Sequence, residues 1–252
     1  VFFKATWLKV MSHQKNKRSL RQFSTTKFAW KITTVKIFHS DCHKFLISLF
    51  PVELLRGPFW LNDQIIAFYF QYLELKKFKS SLKNILFVPP SVAQLLKLSK
   101  PEDIEGLLKP LKPDQQRVIF FAVNDNESSR GGGTHWSLLV FSRKENTFFS
   151  FDSLMGLNRS ASLRISSLLR FGLNCPTADF IEHPSTPQIN AYDCGIHLLA
   201  NAEHIANHYI TTGTVNRVEN VDRRKIDSMR QDILDLIREL EGQNLWINYV
   251  LR

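Results

Sequence analysis

Three charge-poor apolar segments follow one another in the middle of the chain and constrain the fold more than any other feature. They occupy residues 117–124, 134–142 and 146–151 and are rich in Phe, Val, Ile and Leu. The first is long enough, and free enough of charge, to lie centrally in a β-sheet. The polar stretch SRKEN joins the other two, so they are predicted to form a hairpin that turns near Lys144 and Glu145.

This hairpin would bring a histidine close to a carboxylate. With the turn at that position, His135 at the start of one strand lies within one or two residues of facing Asp152 at the end of the other. A carboxylate beside an imidazole fixes the imidazole tautomer and stabilises its cationic form. Each residue also has an ordinary explanation, as a surface histidine or a turn aspartate, so their significance depends on the rest of the chain.

The stretch PQINAYDCG places a glutamine, Gln188, six residues before Cys194. Apolar residues recur at helical spacing after this motif, so the cysteine is predicted in or next to the first turn of a helix. Unpaired N–H groups and the positive end of the helix dipole favour the nucleophilic thiolate there. A buried structural cysteine is the alternative. Against it, the chain supplies a base, a residue to orient it, an oxyanion donor and a nucleophile in His135, Asp152, Gln188 and Cys194.

Apolar periodicity predicts several further helices. One begins at an N-cap, Asn62, and runs to about residue 77, and another spans residues 160–173 with Phe171 on its apolar side. A final amphipathic helix is predicted over residues 222–240. Short strands are predicted at residues 84–88 and 177–183.

These motifs resemble the ubiquitin-like-protein-specific cysteine proteases, also called sentrin-specific proteases. The resemblance rests on WLND at residues 60–63, on HW at residues 135–136, on Asp152, and on Gln188 six residues before Cys194 in a DCG context. It extends from Val52 to the C-terminus. The segments GPFWLNDQIIAFYFQYL, VNDN at residues 123–126 and GGTHWSLLVF are more similar to the deneddylase branch than to the deSUMOylase branches.

The resemblance implies an α+β fold of the papain-like, ubiquitin-like-protease type, formed by residues 52–252. In such a fold a central mixed sheet is flanked by helices, and the nucleophilic cysteine lies at a helix N-terminus. His135 would be the base that Asp152 orients. The Gln188 amide and the Cys194 backbone N–H would stabilise the oxyanion.

The same resemblance implies the substrate and its binding residues. Trp60 and Trp136 would line a tunnel too narrow for any tail but diglycine, Asp63 would meet a basic residue of that tail, and Asn124 would also bind substrate. The substrate would be a ubiquitin-like modifier, first the neddylation modifier and second SUMO, either as a precursor or joined to conjugates such as cullins. A monomer without a cofactor is expected.

Two alternatives come from other classes of protein. His197, His204 and His208 are spaced by seven and four residues and would share one helix face, which is compatible with a metal site. No HExxH pattern accompanies them, and an exposed polar stripe explains them equally well. The second alternative is a protein that binds a ubiquitin-like modifier without catalysis, although all four catalytic positions are occupied by suitable residues.

The basic charge of the chain is concentrated near its start. Nine of the ten excess positive charges precede Asp41, so the remainder is nearly neutral and is not expected to bind nucleic acid. Residues 1–51 have three interpretations: a mitochondrial transit peptide, a disordered basic arm, or sequence that is not authentic coding sequence, since the chain begins with Val and the resemblance fades upstream of Val52.

Composition also bears on the compartment. The three cysteines, Cys42, Cys175 and Cys194, include no CxxC pair and argue against a disulfide framework. No apolar run approaches the roughly 20 residues that cross a bilayer. A soluble protein of the cytoplasm or nucleus, without a membrane partner, is therefore expected.

Overall fold

The computed structural model describes residues 51–81 and 84–242. The interpretations of the basic leading segment, and the thiol of Cys42, therefore lie outside the described residues. Within them, no helix is both long and apolar enough to cross a bilayer. Cys175 and Cys194 are free thiols in this part of the chain.

A mixed β-sheet forms the centre of the fold. In the described part of the chain its five strands lie in sequence order and span β1 Ile85–Val88, β2 Val118–Asn124, β3 Trp136–Ser142, β4 Thr147–Phe151 and β5 Asp179–His183. The inner strands β2, β3 and β4 pair antiparallel, whereas β1 joins β2 and β5 joins β4 in parallel. The three apolar segments are thus confirmed as the middle of the sheet, and the parallel outer strands make it mixed.

The strand β2 is buried along its whole length because helices cover both faces of the sheet. Side chains alternate along a strand, so Phe120 enters the hydrophobic core on one face and Phe121 enters the core on the other. Burial on both sides explains why the sequence shows a continuous apolar run instead of an alternating one.

Helices flank this sheet as the sequence predicts. They span α1 Glu53–Arg56, α2 Asp63–Tyr72, α3 Pro90–Leu98, α4 Pro101–Leu108, α5 Arg159–Gly172, α6 Cys194–Thr212 and α7 Arg223–Gly242. The buried apolar residues of α2, α6 and α7 share one core cluster, and those of α3, α4 and α5 share the other. The α+β class is therefore confirmed.

The predicted start of α2 is confirmed, and a buried carboxylate joins this helix to α6. The Asn62 side chain accepts a hydrogen bond of 3.1 Å from the Ile65 N–H, as an N-cap should. Farther along, the Tyr69 hydroxyl donates to Glu203 of α6 over 2.8 Å, and Lys77 donates to the same carboxylate. Burial and the nearby Glu203 charge raise the pKa of Tyr69 well above its ordinary range, so it stays a donor.

The expectation that Phe171 belongs to the apolar side of α5 is wrong, because its side chain is 73% exposed. The buried apolar stripe of this helix instead consists of Ile165, Leu168 and Leu169, and the half-buried Gly172 lies a turn farther on. A Cβ on Gly172 would come within 2.6 Å of the ends of the Ile104 and Leu108 side chains, so α4 and α5 approach each other closely at this glycine. Phe171 lies off this contact line and faces solvent.

The packing of α7 into the hydrophobic core beside α6 can be tested by truncating one side chain. Ile233 is fully buried in the core, whereas Leu236 in the same helix is only partly buried. Ile233→Ala should lower the free energy of unfolding by about 2 to 5 kcal/mol, because it leaves a cavity. Leu236→Ala is the matched control and should cost clearly less in the same urea titrations. Equal losses would show that α7 does not pack as described.

Candidate active site

The ends of β3 and β4 bring His135 and Asp152 together. Leu138 faces Phe151 in the strand register, which leaves His135 two positions from direct opposition to Asp152. The Nε2 atom of His135 lies 2.6 Å from Oδ1 of Asp152, and both side chains are buried. The imidazole–carboxylate contact expected from the hairpin is therefore present.

Asp152 is fixed by the loop that follows it. The backbone N–H of Leu154 donates to Oδ1 over 2.9 Å, and that of Asn158 donates to Oδ2 over 2.8 Å. The buried Asn158 side chain also donates to the carbonyl oxygens of His135 and Val123, at 3.2 Å each. One asparagine thus ties the carboxylate to the backbone that carries the imidazole. Sequence reasoning missed it, and its position at the start of α5 was the available signal.

Cys194 is the first residue of α6, and its side chain is buried. The second ring nitrogen of His135, Nδ1, makes no hydrogen bond in the described structure, and the Cys194 thiol lies close enough to the imidazole to raise its pKa. The imidazole therefore lies between a thiol and a carboxylate. This order allows it to accept the thiol proton while the carboxylate stabilises the resulting cation.

The charge of the imidazole follows from this position. Burial lowers the pKa of His135, but the hydrogen bond and charge of Asp152 and the nearby Cys194 thiol raise it more, to about 9. Burial likewise opposes ionisation of Asp152, but hydrogen bonds from His135, Asn158 and Leu154 hold the pKa of this carboxyl below its ordinary value. Imidazolium and carboxylate are therefore the forms present at neutral pH.

Gln188 is held against the residue that follows the carboxylate. Its backbone N–H donates to the Ser153 carbonyl over 3.0 Å, and the Ser153 hydroxyl donates to its side-chain oxygen over 2.7 Å. Its Nε2 donates to the Asn190 carbonyl over 2.7 Å, which leaves one amide hydrogen for another acceptor. The serine thus fixes which end of the amide is the donor. Sequence reasoning missed Ser153, although it directly follows Asp152.

Arg230 of α7 holds the residue before the cysteine. Its Nε donates to Asp193 over 2.8 Å, and its other nitrogens donate to the carbonyl oxygens of Leu54 and Phe59, over 2.6 Å and 2.7 Å. One guanidinium therefore fixes the start of α6 relative to the segment that leads to Trp60. No sequence pattern indicates this contact, because the apolar spacing of α7 is that of an ordinary amphipathic helix.

A cleft of about 350 Å³ opens beside these residues. Its walls come from the segment before α2, from α3, from the end of β2 and from the glycine loop between β2 and β3; they comprise Trp60–Asp63, Pro90, Ser91, Gln94, Asn124, Gly131–Thr134 and Trp136. The Trp136 indole N–H donates to the Leu61 carbonyl over 3.0 Å, and that of Trp60 donates to the Ala191 carbonyl over 2.5 Å. Both indoles are thus held in place.

Asp63 and Asn124 also line the cleft, but they differ in exposure. Asp63 is exposed in the first turn of α2, where its carboxylate faces solvent. Asn124 is buried: its amide nitrogen donates to the His135 carbonyl over 3.3 Å, and its oxygen accepts from the Asn126 N–H over 2.9 Å. Asn124 therefore supports the cleft from within the protein.

The glycine loop is closed by Asp125, which sequence reasoning did not single out. Its carboxylate accepts hydrogen bonds from the N–H and hydroxyl of Thr134, at 2.7 Å and 2.6 Å, and from the His135 N–H at 3.1 Å. Gly133 has a φ of 91°, and a Cβ there would lie 1.9 Å from the Asn124 side-chain oxygen. The tight loop therefore requires glycine at this position.

The three histidines of α6 have different surroundings. His197 is buried, and burial with the nearby Arg223 charge lowers its pKa to about 4. His204 is hydrogen-bonded at 3.0 Å to the Glu219 carbonyl. In the described residues, no three His, Cys, Asp or Glu side chains form a group that could hold a metal ion.

Comparisons with known proteins agree with this geometry. The Ulp1 protease family, C-terminal catalytic domain, matches residues 59–239. Human sentrin-specific protease 8 is 34% identical over 192 residues, which are 75% of this chain and 91% of that protein. NEDD8-specific protease 1 of Arabidopsis thaliana is 33% identical over 205 residues, covering 77% of this chain and 89% of that protein.

A solved structure shares the fold. The C-terminal Ulp1 protease domain in complex with Smt3, the yeast orthologue of SUMO, superposes with a TM-score of 0.56 and covers 74% of this chain and 80% of that chain. At 22% identity this likeness supports the fold alone. The expected ubiquitin-like-protease fold is thereby confirmed.

The raised pKa of His135 predicts a measurable pH dependence. NMR titration of the wild-type imidazole should give a value of about 9, and Asp152→Asn should lower it because a charge and a strong acceptor are lost. Since the folded pKa exceeds the ordinary value of 6.5, this group stabilises the fold fully below pH 6.5 and loses that contribution as the pH rises through 9.

The control for this titration is His197, whose lowered pKa keeps it neutral above pH 6.5. Its resonances should not move between pH 6.5 and 9. A wild-type His135 that titrates near 6.5 would contradict the assignment.

Proposed function

Because this chain belongs to the Ulp1 family of cysteine proteases, we propose that it cleaves after the C-terminal diglycine of a ubiquitin-like modifier, with NEDD8 as the preferred modifier. The observation that carries the proposal is the imidazole between the thiol of Cys194 and the carboxylate of Asp152, next to a cleft bounded by two indoles. A nucleophile and an elongated binding site thus lie side by side.

The proposed reaction has two steps. His135 holds the proton of Cys194, and the thiolate attacks the carbonyl carbon of the terminal glycine. The carbon–nitrogen bond then breaks as His135 protonates the departing amine, which leaves a thioester. Water attacks this thioester with His135 as the base, and hydrolysis frees the modifier and restores the thiol. Asp152 keeps the imidazole oriented and compensates its positive charge in both steps.

The tetrahedral intermediates place a negative charge on the former carbonyl oxygen. We assign its stabilisation to the free N–H of the Gln188 amide and to the backbone N–H of Cys194. Ser153 supports this role by occupying the amide oxygen of Gln188, so that the nitrogen end is presented as the donor.

The cleft accounts for the proposed diglycine requirement. Trp60 and Trp136 are each fixed by an indole hydrogen bond to a backbone carbonyl, so neither ring can rotate away without losing a partner. A peptide without side chains fits between two such rings most easily. Asp63, exposed at the mouth of the cleft, would attract a basic residue upstream of the diglycine.

The choice of modifier follows from the relatives. Two relatives that are about a third identical to this chain over most of their length are named sentrin-specific protease 8 and NEDD8-specific protease 1. SUMO is the second candidate, since the solved Ulp1 domain binds Smt3.

Precursor maturation and removal from a lysine use the same chemistry. We extend the proposal to conjugates such as cullins, to a monomeric enzyme, and to the cytoplasm or nucleus.

The oxyanion assignment predicts a loss of turnover. Gln188→Ala should lower kcat by about 100- to 1,000-fold, which corresponds to about 3 kcal/mol, with little change in affinity for the modifier. Ser153→Ala should cause a smaller loss of kcat, because the amide remains but is free to rotate. The Gln188→Ala and Ser153→Ala losses should not add in the double variant. Full additivity would mean that the serine acts independently of the amide.

The proposed function is tested by modifiers that carry a thiol-reactive group at the terminal glycine. NEDD8, SUMO and ubiquitin versions should be incubated with the protein in parallel, and mass spectrometry should locate the adduct. We expect an adduct at Cys194 with NEDD8 in preference to the others. Cys194→Ala should abolish both adduct and turnover while retaining affinity for NEDD8, because binding depends on a protein surface.

Two results would count against the proposal. Absence of an adduct from folded protein with all three modifiers would favour the alternative of a modifier-binding protein without catalysis. An adduct with SUMO in preference to NEDD8 would support the proposed protease chemistry but would show that SUMO, not NEDD8, is the preferred modifier.

A further inference from the structure

An exposed apolar patch lies beside the catalytic residues and has no part in the mechanism above. It consists of Leu154, Met155, Leu157 and Ile189, whose exposed fractions are 39%, 92%, 60% and 82%. We propose that this apolar patch binds apolar residues on the leaving side of the scissile bond, in the segment that the enzyme releases from the modifier. The proposal rests on the proposed function.

The patch is assembled from two loops that are joined at the active site. The first three residues follow Asp152 in the loop between β4 and α5, and Ile189 follows Gln188 in the loop that leads to α6. The backbone hydrogen bond from Gln188 to Ser153, at 3.0 Å, holds the two loops together. The patch is thus continuous with the residues that orient the base and bind the oxyanion.

The backbone of this patch is held rather than loose. Asp152 accepts the N–H of Leu154 on its carboxylate at 2.9 Å, and its carbonyl accepts the N–H of Met155 at 3.3 Å. Met155 has a φ of 50°, a left-handed conformation that is costly for a residue with an unbranched apolar side chain. The Met155 side chain is almost fully exposed, so it buries almost no apolar surface within the folded chain to offset this backbone cost. This points to a contact with another molecule.

The position of the patch relative to the cleft indicates its occupant. The cleft is built from the segment before α2, from α3 and from the β2–β3 loop, whereas the patch is built from the loops that follow β4 and β5. Since the strands lie in sequence order, the cleft lies mainly toward β1 and β2 and the patch lies toward β4 and β5, with His135 and Asp152 between them. A modifier tail would occupy the cleft, so the chain beyond the scissile bond must leave across the apolar patch.

The side chains of the patch determine which leaving segments the enzyme should prefer. Its four side chains are aliphatic or thioether groups, and they gain free energy by burying apolar surface. The neighbouring charged groups, Arg159 and Glu182, form an ion pair with each other at 2.7 Å. A leaving segment with aliphatic or aromatic side chains should therefore be cleaved faster than a polar one.

The test compares two NEDD8 precursors that differ only after the diglycine, one with an apolar pentapeptide extension and one with a pentapeptide of Ser and Asn. The wild-type enzyme should cleave the apolar extension with a kcat/KM about tenfold higher, the size expected for a few apolar contacts. The double variant Met155→Gln with Leu157→Gln should reduce this ratio to about twofold or less. Both residues are exposed, and the change adds no charge near the catalytic groups.

Two controls keep the outcomes distinct. Phe171→Gln removes another exposed apolar side chain, at the far end of α5, and should keep the wild-type ratio. NEDD8 with a C-terminal alkyne warhead has no segment beyond the reactive carbon, so its rate of adduct formation at Cys194 should be the same in all three enzymes.

An unchanged ratio in the double variant would overturn the proposal. So would a parallel loss of adduct formation and cleavage, which would assign the patch to the modifier itself. Failure of the wild-type enzyme to form the adduct would instead refute the proposed function, and the inference would fall with it.

Discussion

The active site depends on the antiparallel pairing of β3 with β4. This pairing fixes which residue emerges beside which at the end of the hairpin, and it places the His135 imidazole 2.6 Å from the Asp152 carboxylate. A slip by one residue would turn every side chain of a strand to the opposite face and would separate the two groups. Burial of both faces of the sheet prevents such a slip, because each strand would then present the wrong residues to each core. The hydrophobic core therefore fixes the strand register, and the register fixes the geometry of the catalytic pair.

The nucleophile reaches this pair through contacts that join distant parts of the chain. A Cβ on Gly195 would lie 2.9 Å from the Leu61 side chain, so the start of α6 can approach the segment before α2 only because glycine is there. The Trp60 indole donates a hydrogen bond to the Ala191 carbonyl, and the Arg230 guanidinium of α7 donates one to the Asp193 carboxylate. These contacts fix one wall of the cleft relative to the thiol. Binding of a tail between the indoles and attack on its carbonyl are therefore parts of one rigid arrangement.

The surroundings of the catalytic pair divide into two regions of different character. The cleft has fixed indoles and backbone walls, which suit a narrow tail without side chains. The apolar patch has exposed flexible side chains such as Met155, which suit a variable partner. The cleft thus selects for one kind of tail, whereas the proposed role of the patch is to favour apolar leaving segments without requiring a particular sequence. The separation of the two regions by the strand order allows each to have its own chemistry.

Much of this arrangement followed from local sequence patterns. Apolar periodicity indicated the inner strands, the helices and the Asn62 cap, since these depend on neighbouring residues and on burial. The hairpin turn placed His135 near Asp152 because two short strands leave little freedom. The motifs around Gln188 and Cys194 indicated the family and with it the chemistry. Phe171 was misjudged because helical spacing shows that a stripe exists but not where the neighbouring helix touches it.

Other features were decided by the tertiary structure alone. The side chains of Asn158, Ser153 and Arg230 form hydrogen bonds to groups that lie 23 to 176 residues away along the chain, and no periodicity marks such residues. A hydrogen bond forms only when donor and acceptor lie within a few tenths of an ångström of the right separation, and only the packed fold determines that separation. The sequence by itself determined the secondary structure, the catalytic residue types and their order. Tertiary packing decided which polar groups hold those residues in place, because hydrogen bonds select partners by position in space and not by separation in sequence.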